Sequence, residues 1–152
     1  MKRIFDTQLI GPFAAMVIVA VIVSLTTERF LNPGNLSNLS LQVSIVALIA
    51  IGSTIVIFAA GIDLSSGSMV ALLTMILAQF LKIMGIPLSL AAPMILIVGG
   101  VLGLFIGIIT AYGRIPSFIT TLAGLIAFRG MALTFNNGSP IFSLDPALEP
   151  IF

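Results

Sequence analysis

The sequence predicts an all-α, polytopic membrane helix bundle with about five transmembrane helices, and three observations predict it. Only 7% of the residues are charged, against roughly 25% in an ordinary soluble domain. Hydrophobic residues make up 59%, and so few charges cannot cover such a chain in water. The apolar residues also fall into five runs, each near the ~20 residues a helix needs to cross a bilayer. The 152 residues read as one transmembrane domain, 1–152. This composition excludes a soluble enzyme, a nucleic-acid binder and a disordered chain.

The first run is Leu9 to Thr27, preceded by Lys2 and Arg3. It is about 19 residues long, or roughly 28 Å as a helix, and a signal peptide has a shorter apolar core. It is therefore expected to be an uncleaved first helix with the N-terminus in the cytoplasm. Glu28 to Ser40 reads as a polar break, with Asn32-Pro33-Gly34 as a turn signal. The second run is Leu41 to Ala60, followed by the polar Gly61 to Ser68. The third is Met69 to Met84, closed by Gly85-Ile86-Pro87; the fourth is Ala91 to Tyr112, closed by Gly113 to Pro116. The fifth is Phe118 to Phe135, interrupted by Arg129, and a polar tail runs from Asn136 to Phe152. Alternating the spans places Arg114 inside, as the positive-inside rule prefers, and leaves Lys82 as one mild violation near the outer face.

The missing residue types exclude chemistry. There is no Cys and no His, so thiolate nucleophiles, imidazole bases and the usual zinc ligands are absent. The five carboxylates are scattered. No catalytic residue, no metal site and no cofactor are expected in this chain. The phosphate-cradling GxxxxGK[ST] pattern is also missing, so any ATP that powers the protein must sit on another chain.

Two intramembrane charges and one glycine pattern stand out. Asp63 is the only acid between Glu28 and Asp145. One reading is an interfacial turn in which Asp63, Ser65 or Ser66 caps the next helix. The other is a helix broken at Gly61–Gly67, where Gly61 and Gly67 permit irregular backbone and Asp63, Ser65 and Ser66 line a path for a polar solute. Arg129 is either an interface anchor or a buried partner for another charge such as Asp63. Alternation puts those two charges on opposite faces, which argues against a direct pair. Gly99, Gly103 and Gly107 share one face of the fourth helix and suit close helix packing.

Two stretches carry a resemblance. One is Ala50-Ile51-Gly52-Ser53-Thr54-Ile55-Val56-Ile57, leading into Gly61-Ile62-Asp63-Leu64-Ser65-Ser66-Gly67-Ser68. The other is Arg114-Ile115-Pro116-Ser117-Phe118-Ile119-Thr120-Thr121-Leu122-Ala123-Gly124, ending Phe128-Arg129-Gly130. In this order they closely resemble the permeases of bacterial ABC importers for simple sugars, a family with ribose, xylose, galactose and autoinducer-2 systems. The second stretch looks most like the xylose type. Ser66 departs mildly from the family's pattern.

The resemblance implies a subunit of an ATP-driven monosaccharide importer in the bacterial inner membrane. The partners it implies are an ATPase subunit holding ATP and Mg, a second permease copy, and a periplasmic or lipid-anchored sugar-binding protein. Gly61, Asp63, Ser65 and Gly67 match the first motif; Pro116, Phe118, Thr121, Gly124 and Arg129 match the second. Gly61, Asp63, Ser65, Ser66, Gly67, Phe118, Thr121 and Arg129 are the candidates for the substrate path. Family members are about twice as long, with roughly ten helices where this chain has room for about five. The chain is thus expected to be the N-terminal half of a permease and not to transport alone. The alternatives are a non-transporting assembly or regulatory partner and, with only one candidate acid, an ion-coupled secondary transporter.

Overall fold

The computed structural model describes residues 2–139 and 141. It contains five α-helices: α1 (Lys2–Thr26), α2 (Pro33–Phe58), α3 (Ser66–Ala78), α4 (Leu88–Gly113) and α5 (Ser117–Thr134). No strand occurs among the described residues. Four stretches are long and apolar enough to cross a membrane: Pro33–Phe58, Ser66–Ile83, Leu88–Gly113 and Ser117–Thr134. A shorter apolar stretch, Ile10–Thr26, lies in α1. This is the all-α multi-pass architecture that the composition predicts. The polar tail lies outside the described residues beyond Ile141.

The chain divides into two compact units, Met1–Val46 and Ala47–Phe152. In the first, the expected polar break is shorter than Glu28–Ser40, because α2 starts at Pro33. The Asn32 side chain accepts the Gly34 N–H at 2.9 Å, and the Asn32 carbonyl accepts the Leu36 N–H at 3.0 Å. Asn32 is thus an N-cap, and Pro33 holds the first helical position, where its missing N–H costs nothing. The same Asn-Pro-Gly that signals a turn here begins a helix. The hydroxyls of Ser40 and Ser44 then donate to the carbonyls of Leu36 and Ser40, so polar side chains are satisfied within their own helix.

In the second unit, α3 packs mainly on α5 and less on α4. Its core is Leu72, Phe128 and Ala132, flanked by Met69, Met75, Ile76, Leu102, Ile106 and Phe135. Most large apolar side chains elsewhere are exposed: α4 buries only Ala91. Outward-facing Leu, Ile and Phe incur no penalty in lipid, where packing rather than hydrophobicity joins helices.

The turns have local causes. α3 continues into a π-helical turn, Gln79–Ile83, in which Met84 N–H reaches the Gln79 carbonyl at 3.1 Å. Gly85 then takes the left-handed conformation (φ 65°), and Ile86 N–H closes on the Phe80 carbonyl at 2.9 Å. This is the helix-ending role in which glycine is favoured. Arg114 (φ 52°) ends α4 in the same left-handed region. α1 also starts earlier than the expected run, at Lys2 rather than Leu9, while α4 and α5 begin and end within three residues of theirs.

Candidate functional site

α2 ends at Phe58 and α3 starts at Ser66. Residues 61–64 between them are irregular. The left-handed residue at the exit from α2 is Ala60 (φ 58°), not a glycine. Gly61 is needed for room: a Cβ there would stand 3.0 Å from Val56 Cγ1 and 3.4 Å from Ser117 Oγ. Gly67 lies in the first turn of α3 with open space around it. The irregular backbone is therefore narrower than Gly61–Gly67.

Asp63 organises the start of α3. Its Oδ1 accepts the Ser65 N–H at 2.8 Å and the Ser65 hydroxyl at 2.7 Å. Of the three expected caps, Asp63 does the work; Ser65 has helical torsions and its own side chain makes no capping bond. A carboxylate two residues before the N–H it accepts has the reach of an N-cap. Both bonds land on one oxygen, which leaves Oδ2 without a hydrogen bond among the described residues. The Ser65 carbonyl accepts the Ser68 hydroxyl at 2.8 Å and the Met69 N–H at 2.8 Å.

α5 completes the junction. Ile62 lies outside any helix, so its backbone groups need other partners. Its N–H donates to Ser117 Oγ at 3.0 Å, and its carbonyl lies 3.1 Å from Thr121 Oγ1. That Thr121 hydroxyl shares its one proton with the Ser117 carbonyl at 2.8 Å. One turn on, a Cβ at Gly124 would meet Ser65 Cβ at 3.2 Å and Ile106 Cδ1 at 3.0 Å. Gly124 therefore lets α3 and α4 close on α5. The two sequence motifs meet here, 59 residues apart in the chain at the Ile62–Thr121 bond.

The junction also gathers the buried polar side chains. Ser65, Ser68, Thr120 and Thr121 are the buried polar residues among those described; Ser65 immediately precedes α3, Ser68 is in its first turn, and Thr120 and Thr121 are in the first two turns of α5. No buried side-chain oxygen or nitrogen there lacks a partner. A buried polar side chain left unpaired would cost about 1–3 kcal/mol, so the pairing is what lets these four be buried.

The other candidates are placed elsewhere. Ser66 opens α3 and is half-buried. Phe118 is exposed on α5. Arg129 is exposed and stands eight residues beyond Thr121, about 12 Å along the helix, so it does not meet Asp63. Of the glycine stripe, a Cβ at Gly99 would stand 3.0 Å from Leu73 Cδ1, while one at Gly103 or Gly107 would meet nothing within 4 Å. Two grooves in this unit, one along α4 and α5 (about 260 Å³) and one along α3 and α4 (about 430 Å³), are lined almost wholly by apolar side chains. Ser117 lies inside the second motif but was not among the expected path residues. The signal for it is spacing: Ser117, Thr121, Gly124 and Phe128 follow i, i+4, i+7 and i+11, one face of a helix.

The sequence is similar to that of known proteins. The permease component of the branched-chain amino acid transport system, as a family, matches residues 35–142. The ribose import permease protein RbsC of Haemophilus influenzae is 40% identical over 129 residues, 85% of this chain and 40% of its own length. The xylose transport system permease protein XylH of Escherichia coli K12 is 37% identical over 147 residues, 96% of this chain and 37% of its own. RbsC of Bacillus subtilis is 41% identical over 151 residues, 94% of this chain and 45% of its own. The chain thus spans less than half the length of these curated relatives. No solved structure matches it significantly. The family match covers most of the chain and both motifs, and the chain belongs to this family of transport-system permease components, as a multi-pass membrane protein.

Proposed function

We propose that these residues form part of the membrane permease of an ATP-driven bacterial importer for a monosaccharide of the ribose or xylose kind. The observation that carries this reading is the junction beside Asp63, where the two family motifs meet at the Ile62 backbone, next to a carboxylate with a spare oxygen. The names of the relatives support the sugar class. A carboxylate oxygen free to accept is suited to a sugar hydroxyl. The permease supplies the path and performs no bond chemistry. ATP and Mg belong to a separate ATPase subunit, and a sugar-binding protein and a second permease copy complete the transporter.

Helix lengths support placing the junction at a membrane boundary. Ser66–Ile83 and Ser117–Thr134 each hold 18 residues, about 27 Å of helix against a hydrocarbon core of about 30 Å. Both start at the junction, so it sits at one edge of the bilayer. With the N-terminus cytoplasmic in the inner membrane, alternation makes that edge cytoplasmic, the same side as Arg114.

The test is uptake of labelled ribose and xylose by cells whose own importers are deleted. They would carry a full-length permease containing this segment, its ATPase and its binding protein. ATP-dependent accumulation of either pentose is expected. Accumulation of neither, with the assembled complex present in the membrane, contradicts the reading.

A further inference from the structure

We infer that Ser117 and Thr121 are positioning residues for Asp63, and that they lock its loop to α5 so that the two travel as one rigid body during transport. The transport half of this inference rests on the permease reading; the lock itself does not. Ile62 immediately precedes Asp63 and has no helix to satisfy its backbone. Ser117 takes its N–H and Thr121 reaches its carbonyl, so both peptide units that flank Ile62 are tied to the first two turns of α5. The second of those units leads directly into Asp63, which then caps Ser65.

Two further contacts exclude slack. Gly124 brings α5 so near that a Cβ there would lie 3.2 Å from Ser65 Cβ, and Gly61 does the same against Ser117 Oγ at 3.4 Å. Thr121 and Ser65 are 4% and 1% exposed. If α3 and α5 parted, the Ile62 N–H and carbonyl would lose their partners on α5, and the packing that buries Ser65 and Thr121 would be lost with them. Separation at this end is therefore the costly motion, and joint motion of α3 with α5 is the cheap one.

The chain has no cysteine, which makes the lock testable by cross-linking in the assembled transporter. Ser65→Cys with Gly124→Cys places two Cβ atoms close to disulfide spacing, about 3.5–4.5 Å. Gly61→Cys with Ser117→Cys is the second pair, should the first assemble poorly against Ile106. Loss of alkylatable thiols, read by mass spectrometry, reports the bond. At least one pair is expected to close on oxidation, with a yield that ATP and sugar change by less than about twofold. Uptake by the oxidised form is expected within about twofold of the same variant reduced. A loss of about tenfold or more on oxidation, restored by reductant, overturns the rigid body. Failure of both pairs to close overturns the lock.

Positioning is read separately. Thr121→Val is expected to cut maximal uptake about tenfold and Thr121→Ser to restore it, while Thr121→Val adds little in an Asp63→Asn background. Equal losses in both backgrounds contradict action through Asp63. If the unmodified transporter carries no sugar, the permease reading fails, and disulfide closure still decides the lock.

Discussion

The Thr121 hydroxyl and the Ile62 carbonyl meet at 3.1 Å across 59 residues of sequence, and this contact joins the two motifs of the chain. Thr121 is buried, whereas the Ile62 N–H that donates to Ser117 is exposed. Removing the two hydroxyls should therefore have unequal effects. Thr121→Val should destabilise the solubilised permease by about 1–3 kcal/mol, because the hydroxyl lost is itself buried and its bond to the Ile62 carbonyl is part-buried. Ser117→Ala should cost about 0.5–1.5 kcal/mol, because water can take over the exposed N–H. Thermal unfolding midpoints in detergent check the order; a larger drop for Ser117→Ala would contradict it.

The glycines should separate in the same assay. Gly124→Ala places a methyl 3.0 Å from Ile106 Cδ1 and 3.2 Å from Ser65 Cβ, and overpacking of this kind costs about 1–3 kcal/mol. Gly103→Ala meets nothing and should stabilise the helix by up to about 1 kcal/mol. A destabilising Gly103→Ala in the full-length permease would show that this face is packed against something there.

Asn32→Ala should shorten or loosen the start of α2. It removes the acceptor of the Gly34 N–H, at a cost of about 1 kcal/mol. Amide exchange at Gly34 and Asn35 should rise while exchange at Ala47 to Phe58 stays unchanged. Unchanged exchange at Gly34 would mean that Pro33 alone sets the helix start.

Much of the fold is legible in the sequence, because hydropathy alone determines what enters a bilayer. All five helices, their order and the turns at Gly85 and Arg114 follow from apolar run length and its interruptions. The start of α2 was not legible: Asn-Pro-Gly serves both as a turn and as cap plus first helical residue, and only the Asn32–Gly34 hydrogen bond decides between them. At the site, Asp63 and its cap were legible from one acid beside a Ser cluster. The union of the two motifs was not, since it rests on a backbone group of Ile62, whose side chain carries no signal. Gly61 is read in sequence as conformational freedom, yet in the structure it provides space, as Gly124 also does.

The central claim is that Asp63 does more than cap α3, and Asp63→Asn tests it most directly. Asn keeps an Oδ1 that can accept both the Ser65 N–H and its hydroxyl, so the local fold is retained while the charge and the spare anionic oxygen are lost. In a full-length permease carrying this segment, at membrane levels equal to the unmodified protein, the account predicts pentose uptake reduced by about tenfold or more. Unchanged uptake at equal membrane levels would contradict it and leave Asp63 as a helix cap alone.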